Sequence, residues 1–185
     1  GYIDAIGMDL YMKLLNEAIN EEKGLTKEEP HIRKYQVSIS RHIEEDYVGD
    51  DAIRIDIHQS INKIKSRDQI SALINEYTDR YGKLSEDIIL YMEEKYLEYL
   101  LKSSGVETFK ETEDEVMFWF DETSSSHINA QKIFELSVKL HLKYKFDYRS
   151  RKIIVRLNPK DSSKSYIYGL TKFLENLKDI SVYKD

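Results

Sequence analysis

The 185-residue sequence has no cysteine and no long hydrophobic run, and each absence excludes a class of protein. Without cysteine there can be no disulfide, no thiolate nucleophile and no cysteine-based zinc site. No apolar stretch approaches the roughly 18–20 residues that a membrane-spanning helix needs. We therefore expect a cytoplasmic protein that makes no membrane contact.

The familiar catalytic motifs are also missing. There is no phosphate-binding GxxxxGK[ST], and neither GxGxxG, GxSxG nor HExxH occurs. The five histidines show no paired ligand spacing, so we expect surface or edge histidines rather than a metal site. They are His31, His42, His58, His127 and His141. Adjacent carboxylates such as Glu93 and Glu94 diverge on a helix, and we expect them to be solvated. The sequence thus predicts no catalytic residue, no metal and no cofactor in this chain.

The charge balance is acidic, with 28 Lys and Arg against 34 Asp and Glu and a net charge of -6. Such a surface is a poor general phosphate binder, and it suits either solubility or a basic protein partner. Hydrophobic residues make up 41% and charged residues 34%, which is typical of a globular protein rather than a disordered one. We therefore expect a folded, soluble globular domain.

Residues 66–101 carry the strongest structural signal, two amphipathic helices joined by a turn. Ser66 and Gln69 form a capping box at the start of the first helix, and Gly82 supplies the left-handed residue that ends it. Ser85 caps the second helix. The apolar stripe of the first helix is Ile70, Leu73, Ile74, Tyr77 and Tyr81. That of the second helix is Ile88, Ile89, Met92, Tyr96 and Leu100.

The polar face of the first helix is the candidate interaction site. Asp68, Glu76 and Asp79 fall opposite the apolar stripe, and the last two are stacked at i, i+3. Two interpretations stay open, a solvated helix face or an acidic docking surface for a basic partner. The pattern alone favours the solvated face.

The remaining periodicities predict an α+β fold. A helix is predicted over 9–22, a half-buried strand over 35–43, and a helix capped by Asp50. From Gly105 onward the order is ββαββα, with a helix over 128–142 and a hairpin over 144–157. We therefore expect a helical N-terminal half with a short strand, followed by a small antiparallel sheet covered on one face by two helices. The serine run at 124–126 is expected to end the first hairpin.

Residues 139–156 reverse the acidic trend, with seven basic residues and one acidic residue. Tyr144, Phe146 and Tyr148 are interleaved with them, a pattern that suits stacking on nucleic-acid bases. However, strand alternation places these rings against the helices, which favours a sheet core with a basic outer face. A nucleic-acid contact stays open as the alternative. Its candidate residues are Lys143, Lys145, Arg149, Arg151 and Lys152.

Three stretches together resemble the C-terminal domain of the bacterial transcription-repair coupling factor (Mfd) family. They are Gly1-Tyr2-Ile3 through Asp9-Leu10-Tyr11, residues 37–48 with the turn Asp46-Tyr47-Val48, and Glu76-Tyr77-Thr78-Asp79-Arg80-Tyr81-Gly82. Order and spacing agree over about the first hundred residues, and the second half is similar only in its order of elements. The sequence departs from the family at Ser40-Arg41-His42-Ile43-Glu44, and Ser85 replaces a proline in the turn.

The resemblance implies that the parent protein is an ATP-dependent DNA translocase that displaces stalled RNA polymerase. It would couple transcription to nucleotide excision repair by recruiting UvrA, with ATP and Mg bound in its motor. The C-terminal domain would dock on the UvrA-binding module of the same protein and inhibit it. The family's acidic docking residues correspond to Glu76 and Asp79. This fragment would then be a non-enzymatic monomer.

The resemblance and the order of the predicted elements together imply a division of the chain. Residues 1–30 would be a helix and linker leaving the translocase motor. Residues 31–104 would form a helical subdomain with one strand, and residues 105–185 an α+β subdomain.

Overall fold

The computed structural model describes residue 43 and residues 47–179, which contain six helices and four strands. The helices are α1 (Asp51–Asn62), α2 (Arg67–Tyr81), α3 (Glu86–Ser103), α4 (Glu122–His127), α5 (Ala130–Lys139) and α6 (Tyr166–Asp179). The strands are β1 (Val106–Glu111), β2 (Val116–Phe120), β3 (Lys145–Arg149) and β4 (Lys152–Leu157). The helix predicted over 9–22, almost all of the strand predicted over 35–43, and His31 and His42 lie outside the described residues.

The described chain divides into two compact units, the first ending at Lys95 and the second beginning at Tyr96. The division falls inside α3. The predicted subdomain boundaries stay a prediction. Each unit is built around its own buried apolar residues.

In the first unit, the predicted caps set the ends of the helices. The Asp50 side chain accepts hydrogen bonds from the backbone N–H groups of Ala52 and Ile53, at 2.8 and 3.2 Å. Ser66 Oγ accepts from the N–H of Gln69 at 3.1 Å. The returning bond of the capping box differs from the prediction by one residue, because Gln69 Oε1 accepts from the N–H of Lys65 instead of Ser66. These side chains satisfy N–H groups that a helix start leaves without intrahelical partners.

Two expectations about polar residues in this unit were wrong. Glu93 and Glu94 are buried in α3 rather than solvated. The two terminal guanidinium nitrogens of Arg67 donate hydrogen bonds to the Glu93 carboxylate, each at 2.6 Å, and this bidentate geometry stabilises the buried charge. His58 is fully buried rather than at an edge, with Nδ1 2.8 Å from the hydroxyl oxygen of Tyr91. Glu93 and His58 therefore both help to specify the packing of α3.

The second unit is an antiparallel sheet with strand order β1-β2-β4-β3, so β3 is an edge strand of the described sheet. One face packs on helices. The Phe173 ring of α6 lies 5.2 Å from Tyr144 and 6.3 Å from Phe146, and the Phe134 ring of α5 lies 6.2 Å from Phe146. The predicted α+β class, with a small antiparallel sheet and two helices on one face, is confirmed.

The serine run does not simply end the first hairpin but forms α4, a short helix that the sequence pattern did not predict. The Asp121 side chain caps it by accepting from the N–H of Ser124 at 2.6 Å. Ser125 Oγ is buried and accepts from the N–H of Ile153 in β4 at 3.0 Å. Gly105 lies so close to this helix that a Cβ there would come within 1.9 Å of Ser124 Oγ. Side-chain hydrogen bonds thus replace the apolar periodicity on which the prediction depended.

The turn between β3 and β4 is a two-residue loop. Ser150 and Arg151 both have positive φ, at 52° and 64°. Two positive values are the signature of the type I′ turn, whose twist matches that of the flanking strands. The loop fixes Arg149 opposite Lys152, and alternation then places Lys145, Asp147 and Arg149 on the face of β3 away from the helices.

Candidate docking surface

The acidic candidates lie on the exposed side of α2. Ile70 and Tyr77 are buried, while Asp68, Glu76 and Asp79 are all exposed. The predicted stripe therefore faces the core, and the carboxylates face solvent. We call Glu76 and Asp79 together the acidic face. It occupies the last two turns of the helix.

The end of α2 that carries this face is held by a distant tyrosine. The hydroxyl group of Tyr47 lies 3.1 Å from the carbonyl oxygen of Tyr77 and 3.0 Å from that of Gly82, so its proton is shared between them. Its ring also makes an edge contact with the ring of Tyr81, at 6.2 Å between centroids. Burial, reinforced by Tyr81 and Tyr77, raises the pKa of Tyr47 above 10.0, so the hydroxyl stays protonated and able to donate. Tyr47 thus fixes the turn that follows the acidic face.

Gly82 ends the helix as predicted. Its φ is 92°, a value that residues other than glycine rarely adopt. Its N–H donates to the carbonyl oxygen of Thr78 at 3.0 Å. The chain therefore turns sharply one residue after Tyr81. With one end capped by Ser66 and the other held by Gly82 and Tyr47, the positions of the two carboxylates are well defined.

The two carboxylates differ in their neighbours. Glu76 is 45% exposed and its Oε1 lies 3.4 Å from a guanidinium nitrogen of Arg80, which is 63% exposed. Exposed pairs of this kind contribute about 0–1 kcal/mol, so Arg80 neutralises Glu76 only weakly. Within the part of the chain that the structure describes, Asp79 forms no ion pair. Its charge is therefore available to a partner.

This arrangement fits charge recognition. Exposed carboxylates one turn apart on a rigid helix can meet a basic surface and fix its register. No cluster of histidine, aspartate and glutamate able to hold a metal ion occurs among residues 47–179. None of the helices in that range combines the length and apolar character that a membrane span requires.

The basic residues of 139–156 belong to the second unit, whereas the acidic face belongs to the first. Lys143, Lys145 and Arg151 are exposed. Two of the other cations are already engaged within the second unit. Arg149 Nε lies 3.3 Å from Asp147 Oδ2, and Lys152 Nζ lies 2.7 Å from Glu107 Oε2. The hydrogen bond with Glu107 raises the pKa of Lys152 above its ordinary value. The cluster is thus less free to bind phosphate than its charge count indicates.

The rings interleaved with this basic segment divide into two groups. Tyr144 and Phe146 pack against Phe173, as strand alternation predicted. Tyr148 does not, because it is 63% exposed although it lies on the same face of β3. The expectation that all three rings lie against the helices was therefore wrong for the last of them.

Sequence reasoning found the carboxylates but missed the residue that positions them. Tyr47 was part of a matched stretch, Asp46-Tyr47-Val48, yet its contacts are 30 and 35 residues away along the chain. Tyr47 lies in a loop, where no helical or strand periodicity indicates which residues its side chain will contact. Only the fold brings Tyr47, from the second resembling stretch, to the third.

Comparison with known proteins gives a consistent result. The model of the TRCF domain family matches residues 37–132, just over half of the chain. The transcription-repair-coupling factor of Bacillus subtilis (strain 168) is 27% identical over 97% of this chain. That of Staphylococcus haemolyticus is 21% identical over the whole chain. In both cases the match spans only 16% of the relative's own length.

A solved structure has the same fold. The crystal structure of a C-terminal domain of transcription-repair coupling factor superposes with a TM-score of 0.68 at 20% identity. The match covers 78% of this chain and 91% of that one. At this identity the likeness establishes the fold, and the family model establishes the membership. The chain therefore belongs to the TRCF domain family.

Proposed function

We propose that this chain is a regulatory docking domain of a transcription-repair coupling factor. The parent protein would displace stalled RNA polymerase by ATP-driven translocation on DNA and recruit UvrA for nucleotide excision repair. In the resting state, Glu76 and Asp79 would bind a basic surface on the UvrA-binding module of the same protein and cover it. The domain itself would have no catalytic step and would act in the cytoplasm.

The exposure of Asp79 near the C-terminal end of α2 is the observation that carries this proposal. A helix C-terminus has a partial negative charge, so a carboxylate there costs roughly 0.3–1 kcal/mol. Arg80 is the basic residue of that last turn, and it pairs with Glu76 rather than with Asp79. Folding alone therefore gives no reason for a carboxylate at this position. A basic partner does give one, because its charge would offset the unfavourable dipole.

The expected energetics suit a contact that must be released. Charge pairs at an exposed rim contribute about 0.2–1 kcal/mol each, so the intrinsic affinity is low. Tethering within one protein raises the effective concentration to roughly millimolar, which keeps a weak contact closed. Activation then requires only a modest competing interaction.

The direct test is binding of this chain, in trans, to the isolated UvrA-binding module of the same protein. We expect a weak complex whose affinity falls with salt, because the contact is made by exposed charges. Glu76→Arg with Asp79→Arg replaces attraction by repulsion. At roughly 2 kcal/mol for the two positions, the affinity should fall about 30-fold.

A matched control keeps the change in net charge but moves it to the second unit. Glu113 and Asp161 are exposed, so Glu113→Arg with Asp161→Arg should leave the affinity within about twofold of the unmodified chain. Equal loss in both double variants would mean that only net charge matters. Unchanged affinity in the first variant would contradict the proposal.

In the full-length protein the same substitutions should release UvrA binding. If the docked state is favoured about tenfold, a 30-fold weaker contact leaves most molecules open, and the apparent affinity for UvrA rises roughly eightfold. Titration of UvrA against the unmodified and doubly substituted proteins measures this change. An unaltered UvrA affinity would show that the acidic face does not cover the binding surface.

The outer face of the sheet supports a second candidate, a nucleic-acid contact. The face of β3 away from the helices places Lys145 directly opposite Arg156. Like charges in that position are destabilising unless an anion lies between them. On the same face of the sheet, Lys110 Nζ of β1 lies 5.4 Å from the centroid of the ring of Trp119 in β2, which is partly exposed. A cation beside a partly exposed aromatic ring suits single-stranded nucleic acid, whose bases stack on such rings.

This candidate is tested by titrating the chain with a single-stranded oligonucleotide and a duplex at several salt concentrations. Contact through this face predicts micromolar affinity, a steep fall with salt, and a loss in Lys145→Glu. If this face makes no contact with nucleic acid, the net negative charge of the chain predicts only weak binding of either oligonucleotide. Salt-independent binding, or an equal loss in Lys83→Glu in the first unit, would exclude the outer face of the sheet.

A further inference from the structure

A second exposed surface stands out because it is apolar. Among the described residues, the large apolar side chains that are more than half exposed all belong to α5 and β3. They are Phe134 at 54%, Val138 at 57% and Tyr148 at 63% exposed. Single exposed apolar residues are ordinary on a protein surface, but a cluster of them marks a site of interaction.

The positions of these side chains on β3 and α5 place them in one strip. The ring of Phe134 lies 6.2 Å from that of Phe146, in edge-to-face geometry. Tyr148 lies two residues after Phe146 on the same face of β3, and Val138 lies one turn after Phe134 on α5. The strip thus has Phe134 at its centre. From Tyr148 to Val138 it is roughly 15–20 Å long by helix and strand rises.

The rim of the strip is mainly basic. Lys139 follows Val138, Lys143 lies in the short link from α5 to β3, and Arg151 lies in the turn after Tyr148, all three exposed. Glu135 is the acidic residue on the exposed side of α5, and Gln131 Nε2 donates a hydrogen bond to it at 3.1 Å. Two copies of this strip would bring like charges together on association. The charge therefore favours an acidic occupant over a second copy of the chain.

The edge of β3 is not arranged for strand addition. In a two-residue hairpin the residues next to the loop form a hydrogen-bonded pair, so the N–H of Tyr148 points away from β4. That N–H donates to the side chain of its neighbour Asp147, at 2.8 Å. A self-capped edge resists pairing with another strand. An incoming segment must therefore bind through its side chains.

We propose that this strip is a docking site for an acidic amphipathic helix of a protein partner. Three turns of helix span about 16 Å, which matches the strip. Apolar residues at i, i+4, i+7 and i+11 of such a helix, about 16 Å from first to last, would contact the strip from Tyr148 past Phe134 to Val138. Carboxylates on its flanks would meet Lys139 and Arg151. This site is separate in sequence and in charge from the acidic face of α2, and it does not depend on the function proposed above.

The test uses the whole 185-residue chain and a displayed library of random peptides. Selection should enrich acidic peptides with apolar residues at helical spacing. Phe134→Ser with Val138→Ser should weaken the selected peptides at least ~10-fold, as expected when the central contacts of an interface are removed. Because Phe134 contacts Phe146, circular dichroism and unfolding of this variant are measured alongside.

A second variant leaves the apolar contacts in place. Lys139→Glu with Arg151→Glu should weaken the same peptides by a similar factor at low salt and by less at high salt. Lys83→Glu, an exposed charge reversal in the first unit, should leave binding unchanged. Full affinity in both double variants would overturn the proposal. So would enrichment of basic or non-helical peptides, no enrichment, self-association through the strip, or preferential binding of oligothymidine there.

Discussion

Neutralising Asp79 should stabilise the free chain while weakening its docking. In Asp79→Asn the side chain keeps its shape and nearly the same helix propensity, so the main change is the loss of one negative charge. That charge lies two residues before the last residue of α2, where the helix dipole opposes it by roughly 0.3–1 kcal/mol. We expect the free energy of unfolding to rise by about that amount.

The same helix offers a control of opposite sign. Asp68 is exposed in the first turn of α2, where the dipole favours a negative charge. Asp68→Asn makes an identical chemical change and should lower the free energy of unfolding by roughly 0.3–1 kcal/mol. It lies eleven residues from Asp79, about 16 Å along the helix axis and more than a Debye length at 0.1 M salt. Its effect on docking should therefore be small.

Urea denaturation of both variants measures stability, and binding to the UvrA-binding module measures docking. The expected result is a more stable but weaker-binding Asp79→Asn and a less stable but normally binding Asp68→Asn. Both stability changes should shrink at high salt, because the dipole interaction is screened. If Asp79→Asn lowered stability, the carboxylate would have a structural role. If it bound normally, the acidic face would be only a solvated surface.

Three further predictions concern residues that support the two units. Tyr47→Phe removes the hydroxyl proton shared by two carbonyl oxygens and should lower the local stability of the end of α2 by about 1 kcal/mol, measured as about fivefold faster amide hydrogen exchange there. The control Tyr148→Phe removes an exposed hydroxyl and should change neither stability nor exchange. Gly105→Ala forces a side chain onto a φ of +78° and into α4, so urea denaturation should show a loss of at least ~2 kcal/mol, whereas Gly49→Ala, with open space around it, should be nearly neutral. Burial raises the pKa of the Tyr144 hydroxyl well above 10, so the native state keeps a proton that the unfolded state releases. The free energy of unfolding should therefore fall as the pH rises above about 10. Tyr144→Phe should flatten this pH dependence, as measured by urea denaturation at several pH values.

The parts of the fold that follow from local pattern were predictable from the sequence. Asp50, Ser66 and Ser85 each cap the helix that follows them, because capping depends on residues only two or three positions apart. The apolar stripe of α3 is likewise confirmed, since periodicity records which face of a helix is buried. Local chemistry was sufficient for these elements, but not for α4, whose cap by Asp121 is local although no apolar periodicity marks the helix.

The wrong expectations concern residues whose partners are distant. Glu93 is typical of a solvated helix residue, and its burial depends on Arg67, 26 residues earlier. His58 is buried because the hydroxyl of Tyr91 meets it from another helix. Tyr148 follows the alternation of β3, yet the ring of Phe173 covers only Tyr144 and Phe146, and the end of an edge strand stays exposed. No periodicity in one sequence records such pairings.

The candidate docking site divides in the same way, and the division bears on how it would work. The carboxylates at 76 and 79 follow from the helical pattern, but helix ends fray unless something holds them. Gly82 and Tyr47 hold the C-terminal end of α2 through its backbone. The spacing of the two carboxylates is therefore fixed, while their side chains stay free to meet a partner. A rim of two rigidly placed charges selects its partner by geometry while contributing only about 1–2 kcal/mol. In the proposed docking, tethering would keep such a contact closed, and a competing contact of similar size would be enough to release it.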